Sequence, residues 1–499
     1  VQVIQTHISV VFLAGPHVYK VKKPVDFGFL DFTTLEKRHH FCREELTLNR
    51  RLSPDLYIDV VPVIERDGLL RFGGPGTPVE YAVLMRRLDQ NRLLSSLLDR
   101  GEATGEMVER IAGKIADFHL SEKTSGEIKE IGGTAAVVFN TEEDFQQIEP
   151  YVGRTLSRET CRIIADYTRT FLEVNRVMFR NREEEGWIRD GHGDLHTQHV
   201  CINDVIQIYD CIEFNRRFRY ADVLCDAAFL AMDLTRRGFP DLADRYTATY
   251  LAKTGQEGTE ALYNFYACYR AVVRGKVEGF RSDDPNIAEE ESRNAAENAS
   301  AFFHLARAYA ETLYPPTLFL TCGLMGSGKS SLAGGLAGRL DLLTLSTDEV
   351  RKELAGLPPT ESRHVPFGED IYSGRFTQRT YNELHARAED ALKKGRSVIL
   401  DGSYIDPSRR GEALRVAGRS GSRPIVLYRE ASEELLRERL RRRAGKTTVT
   451  DGREEILTDQ IRAFAPPDEV PPASLMIVEA ALPLEEAVTA AFRRALSIP

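Results

Sequence analysis

Gly323-Leu324-Met325-Gly326-Ser327-Gly328-Lys329-Ser330 matches the pattern G-x-x-x-x-G-K-[ST], and its flanks decide the fold of this part of the chain. Thr317-Leu318-Phe319-Leu320-Thr321-Cys322 before it reads as a buried strand. Ser331-Leu332-Ala333-Gly334-Gly335-Leu336-Ala337 after it reads as the opening of a helix. That order is what phosphate binding requires. Gly323, Gly326 and Gly328 free the backbone so that consecutive N–H groups, including those of Ser327 to Ser331, can wrap phosphate oxygens at the positive end of the new helix. Lys329 can reach the β- and γ-phosphates, and the Ser330 hydroxyl can hold Mg²⁺. A plain glycine-rich turn is the competing reading. Strand, loop, Lys-Ser and helix together point instead to a nucleoside triphosphate, ATP or another purine nucleotide.

Working outward, segments 331–340, 376–394 and 432–443 read as helices, and 342–346, 397–401 and 424–428 as strands. This alternation predicts an α/β domain with a parallel sheet covered on both faces. Reactive groups sit at the carboxyl ends of such strands. There, in Leu345-Ser346-Thr347-Asp348-Glu349-Val350-Arg351, Asp348 can accept the proton of an acceptor hydroxyl, and Arg351, one turn on, can grip an anionic part of the acceptor. An Asp N-cap followed by a surface Arg would look the same. Val398-Ile399-Leu400-Asp401 is an apolar strand ending in a carboxylate suited to Mg²⁺. Helix 432–443 carries Arg437, Arg439, Arg441, Arg442 and Arg443. Arg439 and Arg443 share a face and can act as a helical lid that neutralises charge on a transferred phosphoryl group. Pairing of these arginines with Glu433, Glu434 and Glu438 on a solvated face is the alternative.

At 499 residues the chain should hold about two to four domains. A net charge of −9 argues against bulk capture of duplex nucleic acid, though not against a local basic groove. No apolar run is long enough to span a membrane. Seven scattered cysteines predict reduced thiols in a cytoplasmic protein, with Cys42, Cys225 and Cys268 in apolar helical patterns. Pro315-Pro316 ends a helical stretch and marks the expected boundary between domains 1–314 and 315–499.

Residues 1–88 read as a small β-rich lobe and 89–314 as a mainly helical one. Strands are predicted over 8–13, 18–23, 60–64, 69–72 and 80–88, with a helix over 35–52. Lys20 and Lys22 lie on one face of the second strand. Glu45 shares the inward stripe of the helix with Leu48 and Leu52, so Lys20 or Lys22 with Glu45 is the expected ion pair, a solvated edge being the alternative. Tyr81-Ala82-Val83-Leu84-Met85 reads as either an inter-lobe hinge or a core strand. His192-Gly193-Asp194-Leu195-His196, Val200-Cys201-Ile202 and Ile206 to Phe214 then place Asp194 before one short strand and Asp210 after the next. Phosphoryl transfer needs such a pair, one carboxylate for the attacking hydroxyl and one for Mg²⁺. Glu213 is a further acidic group. His119, Asp222 and Asp226 read as packing or capping residues.

Tyr19-Lys20-Val21-Lys22-Lys23-Pro24 and His192 to Glu213 resemble the aminoglycoside phosphotransferase family, whose catalytic loop reads H-G-D-x-x-x-x-N. The resemblance implies a bilobal α+β kinase-like domain, with Asp194 catalytic, Asp210 a metal ligand, and Lys20, Lys22 and Glu45 at the nucleotide. His199 stands where that family has its metal-binding Asn. Gly323 to Ser330 with Asp348-x-x-Arg351 resembles polynucleotide kinase-like and gluconate kinase-like ATPase domains. Bacterial fusions of the two resemble this chain over essentially its whole length. Together these resemblances imply an ATP- and Mg²⁺-dependent kinase acting on a hydroxyl. A nucleic-acid 5′-hydroxyl end is the sharpest candidate, a small polyol or antibiotic the alternative, and the first domain binds nucleotide or serves as a regulator without chemistry.

Overall fold

The computed structural model describes residues 2–358, 369–443 and 454–498, with the side chains of 443, 454 and 455 left out. Two compact units are present: Val1–Cys161 with Arg176–Ala306, and Arg162–Asn175 with Arg307–Pro499. They therefore do not divide at Pro315-Pro316. No described helix is long and apolar enough to cross a membrane. All seven cysteines are free thiols, and Cys42, Cys225 and Cys268 are buried.

The first unit opens with strands β1 (Gln2–Gln5), β2 (Ser9–Ala14), β3 (His17–Lys22), β4 (Tyr57–Arg66), β5 (Leu69–Phe72) and β6 (Pro78–Arg86). They form an antiparallel sheet in the order β1-β2-β3-β6-β4-β5. Thr34 caps the Leu35–Asn49 helix by accepting from the Lys37 amide, and Cys42, Glu45 and Leu48 are buried along its inner stripe. That stripe packs on a core containing Leu56, Tyr57, Val83 and Met85. Tyr81–Met85 pairs with β3 or β4 throughout and is a core strand, not a hinge; the chain leaves the sheet only after Arg86. Beyond it come helices Gly105–Ser121, Val223–Arg236, Pro240–Thr254 and Glu260–Ser282. Among them, β7 (Ile188–Asp190) pairs with β10 (Tyr220–Asp222), and β8 (Val200–Ile202) pairs with β9 (Ile206–Ile208) in a hairpin.

The second unit is built on a five-stranded parallel sheet ordered β12-β13-β11-β14-β15, with β11 (Thr317–Cys322) at its centre. The others are β12 (Leu343–Ser346), β13 (Val398–Asp401), β14 (Arg423–Glu430) and β15 (Leu475–Glu479). β11 is buried at every residue, as a strand covered on both faces must be. Tyr381, Leu384, Ala388, Val416 and Ala417 from helices Gly374–Lys393 and Pro407–Arg419 contribute to its core. The helical segment Arg162–Asn175 joins this unit. Asn175 donates to the Leu496 carbonyl at 2.9 Å and accepts from the Ile498 amide at 2.8 Å, while Glu173 pairs with Arg493 at 2.6 Å.

Candidate active sites

In the second unit the glycine-rich loop leaves the central strand and enters the Lys329–Ala337 helix. Gly323, Gly326 and Gly328 take φ values of 133°, 80° and 91°, outside the range that L side chains favour. A Cβ on Gly323 would stand 2.7 Å from the Arg429 carbonyl oxygen, so this turn has no room for a side chain. Lys329 is buried, and its ammonium donates back to the Leu324 carbonyl at 2.8 Å. Ser330 and Ser331 are exposed at the start of the helix. Among the described residues the buried Ser327 hydroxyl oxygen has no hydrogen-bond partner, which fits a loop that takes phosphate oxygens.

Two arginines close on the loop. Arg439, from the Glu433–Arg443 helix, donates to the Ser327 carbonyl at 3.2 Å and to the Ala480 carbonyl at 2.8 Å. Arg429, buried at the end of β14, donates to the same Ser327 carbonyl at 3.3 Å and to Glu479 and Ala480. Burial, then the charge of Arg439, pulls the Arg429 guanidinium below the ordinary arginine range. Arg437 and Arg442 lie in i,i+4 pairs with Glu433 and Glu438, as a solvated face would have them. Arg443 ends this helix, and its side chain lies outside the described residues.

Asp401 ends β13 beside the loop, and one of its oxygens accepts from the Thr321 hydroxyl at 3.2 Å. Ser346 at the end of β12 caps the next helix by accepting from the Asp348 amide, so the capping side chain is Ser346 and not Asp348. Arg351 is engaged within the protein: it donates to the Ile371 carbonyl at 2.8 Å and the Thr377 hydroxyl at 3.0 Å, and its guanidinium lies over Tyr372. Burial pushes the Tyr381 phenol up, Arg409 and Arg351 pull against it, and Asp348 adds to it, so these groups share one neighbourhood.

The first unit gathers its charged residues equally closely. Lys20 reaches Glu45 at 2.9 Å and Asp210 at 2.6 Å, and Lys22 joins Glu45 at 2.7 Å to Glu213. Both lysines thus pair with Glu45, but only Lys20, 16% exposed, faces the site; the Lys22 and Glu45 side chains are fully buried. Burial would pull the Lys20 ammonium down, yet Asp210, Glu45 and Glu213 outweigh it and hold it above the ordinary lysine range. Burial likewise favours a neutral Glu45, but Lys20 and Lys22 keep it below the ordinary carboxylate range, whereas burial prevails at Glu213 and raises it. Asp210 takes a left-handed backbone (φ 63°), which Asp tolerates better than most residues. His199 Nε2 is 3.5 Å from Asp210 Oδ2, and His199 Nδ1 donates to the Asp194 carbonyl at 2.8 Å. Burial, ahead of His196, pulls His199 down to about 4, so the ring is neutral at pH 7.

Lys22→Met should therefore destabilise the first unit. It keeps the stem but leaves Glu45 and Glu213 buried without their shared cation, a loss of about 3–5 kcal/mol. Urea unfolding followed by fluorescence checks this. The deficit should narrow as pH falls, because Glu213, already raised by burial, takes up a proton and relieves the repulsion.

Asp226 and Asn49 are positioning residues that sequence reasoning left as packing or did not single out. One Asp226 oxygen accepts from the His192 amide at 2.7 Å and the other from the Gly193 amide at 2.9 Å; His119 adds a contact at 3.1 Å. This carboxylate holds the turn that presents Asp194. Asn49 accepts from the Cys211 amide at 2.9 Å, fixing the segment after Asp210. Burial opposes the Asp226 charge, but His119, His192 and Arg270 together outweigh it and hold the carboxyl below its ordinary range. Its stabilising contribution is complete above the usual carboxylate range and should fade as pH falls below about 4. In Asp226→Asn the acid slope of unfolding should be shallower, as circular dichroism against pH would show.

A family model described as AAA domain matches residues 318–467. The uncharacterized proteins Rv2004c of Mycobacterium tuberculosis and Mb2027c of Mycobacterium bovis are each 33% identical over 448 residues, which is 89% of this chain and 86% of theirs. The chain belongs to the family of these mycobacterial proteins. Among solved structures, a gluconokinase from Sinorhizobium meliloti 1021 is 21% identical, with a TM-score of 0.26, over 37% of this family member and 91% of the gluconokinase. A sugar kinase from Janibacter sp. HTCC2649 is 18% identical, with a TM-score of 0.28, over 37% of this chain and the whole of the other. The P-loop character of the family member's second unit rests on its parallel sheet, its loop geometry and the AAA domain match.

Proposed function

We propose that the chain is an ATP- and Mg²⁺-dependent phosphotransferase whose second unit moves the γ-phosphoryl group to a hydroxyl. The observation that carries this is the glycine loop at the end of the central strand, with Lys329 folded on it, Arg429 and Arg439 against it, and Asp348 just past the end of the sheet. The loop N–H groups would hold the phosphates while Lys329 exchanges the Leu324 carbonyl for a phosphate oxygen. Asp348 would take the proton of the acceptor hydroxyl as its oxygen bonds to the γ-phosphorus and the bond to the β–γ bridging oxygen breaks. Arg439, held on the Ser327 carbonyl of the loop, would neutralise charge on the transferred group. Ser330, exposed, and Asp401 would hold Mg²⁺, which would supply neutralisation of phosphate charge.

A nucleic-acid 5′-hydroxyl end is the acceptor that the resemblance of Asp348-x-x-Arg351 to polynucleotide kinase-like domains favours. The engagement of Arg351 by Ile371 and Thr377 favours the second reading, a small polyol or metabolite that needs no phosphate grip. The first unit, with Lys20, Glu45, Asp194 and Asp210 convergent, is read as a purine-nucleotide site. Transfer of labelled γ-phosphate to a panel of 5′-hydroxyl RNA and DNA oligonucleotides, sugars and aminoglycosides decides between acceptors. ATP hydrolysis with no transfer to any of them would overturn the transferase reading.

A further inference from the structure

The first unit's loop does not offer Mg²⁺ the ligands it prefers. Mg²⁺ takes oxygen atoms in near-octahedral array, whereas the position facing Asp210 holds an imidazole nitrogen. The hydrogen bonds decide which nitrogen. His199 Nδ1 lies 2.8 Å from the Asp194 carbonyl oxygen, which can only accept, so Nδ1 carries the ring proton and Nε2 presents its lone pair. That lone pair faces Asp210 Oδ2 at 3.5 Å, while Lys20 occupies the other oxygen, Oδ1.

In the neutral imidazole these two atoms can each only accept, and 3.5 Å is too short for a bridging water. Ligands bound at ~2.0–2.2 Å to one tetrahedral metal stand about 3–3.5 Å apart. The Nδ1–H to carbonyl bond is the arrangement by which metal-bound histidines are oriented. A second carboxylate lies on the Nδ1 side of the ring: Asp194 Oδ2 is 3.4 Å from His196 Nε2 and 3.6 Å from His199 Nδ1. Asp194, His196 and His199 each bring a potential ligand atom within 4.8 Å of the others. His196 accepts from the Gln198 amide through Nδ1, so its Nε2 carries the proton and steadies Asp194.

We propose that this loop takes a borderline divalent cation of the Zn²⁺ or Co²⁺ class in preference to Mg²⁺, with His199 Nε2 and Asp210 Oδ2 as ligands. Imidazole nitrogen with carboxylate suits those ions, whereas an all-oxygen set suits Mg²⁺. The inference rests on reading the loop as the cation side of a nucleotide site.

The test is a CoCl₂ titration of the chelator-treated, full-length protein without nucleotide, followed by visible absorption. The expected result is saturable uptake with nitrogen-ligated Co²⁺ bands, displaced by ZnCl₂ at equal concentration and retained against ~100-fold excess MgCl₂. His199→Asn and Asp210→Asn should each weaken Co²⁺ about tenfold or more, with near-ultraviolet circular dichroism confirming the fold. His304→Asn, on an exposed helical position, should change nothing. Equal Co²⁺ affinity in folded His199→Asn and Asp210→Asn, or ready displacement by Mg²⁺, would overturn the proposal. Calorimetry of ATP on the Lys329→Ala protein separates the two readings. A Co²⁺ site indifferent to nucleotide keeps the metal and overturns the nucleotide reading, and Mg²⁺-dependent nucleotide binding without Co²⁺ uptake does the reverse.

Discussion

Lys329→Ala is expected to cut phosphoryl transfer by the second unit roughly 10²–10³-fold, the usual effect of removing one preorganised charge-stabilising donor. The ammonium is stored on the Leu324 carbonyl of its own loop and is buried there, so the cation is held close to its place of use. Alanine keeps the helical backbone at this position, and the Leu324 carbonyl, on a partly exposed residue, can turn to water. The loss should therefore appear in turnover and ATP affinity while the unfolding midpoint stays near wild type. Steady-state transfer kinetics with a parallel thermal melt measure both. Undiminished transfer by a folded variant would remove this loop from the reaction.

Asp348→Asn is the second large effect. General base assistance contributes ~10²–10⁴-fold, and an amide cannot accept the acceptor's proton. The helix that begins here should survive the change, because Ser346 supplies the cap and Asp348 adds only a first-turn charge, worth about 0.3–1 kcal/mol. The expected pattern is a fallen kcat with ATP affinity nearly unchanged, measured by varying ATP and acceptor separately. A parallel fall in ATP affinity would mark Asp348 as a metal-side or structural group instead.

Why some of this was legible in sequence and some was not depends on how far each residue's partners lie along the chain. The loop, its strand and its helix are contiguous, and the Lys20–Glu45 pairing joins two adjacent elements whose periodicity was plain. Arg429 is different. It acts on Ser327 only because β14 pairs with β11, and nothing within β14 marks one arginine of a strand as inward. Asp226 and Asn49 serve backbone amides of distant segments, so their sequence surroundings show only a helix. Tyr81–Met85 left two readings open for a related reason: an apolar strand and an apolar hinge have the same composition, and only pairing partners separate them. β1, a fully exposed strand, shows no apolar alternation to betray it.

The helical segment Arg162–Asn175 carries a consequence for how this protein can be inherited and dissected. The chain enters the second unit, returns to the first, and enters the second again, so no single cut separates the two. A fragment beginning at the proline pair would carry the phosphate loop yet lack the Asn175 and Glu173 side chains that hold the Leu496–Ile498 backbone and Arg493. Recombination at one point would orphan that interface in the same way. The two units are thus interleaved modules, to be exchanged, truncated or studied together.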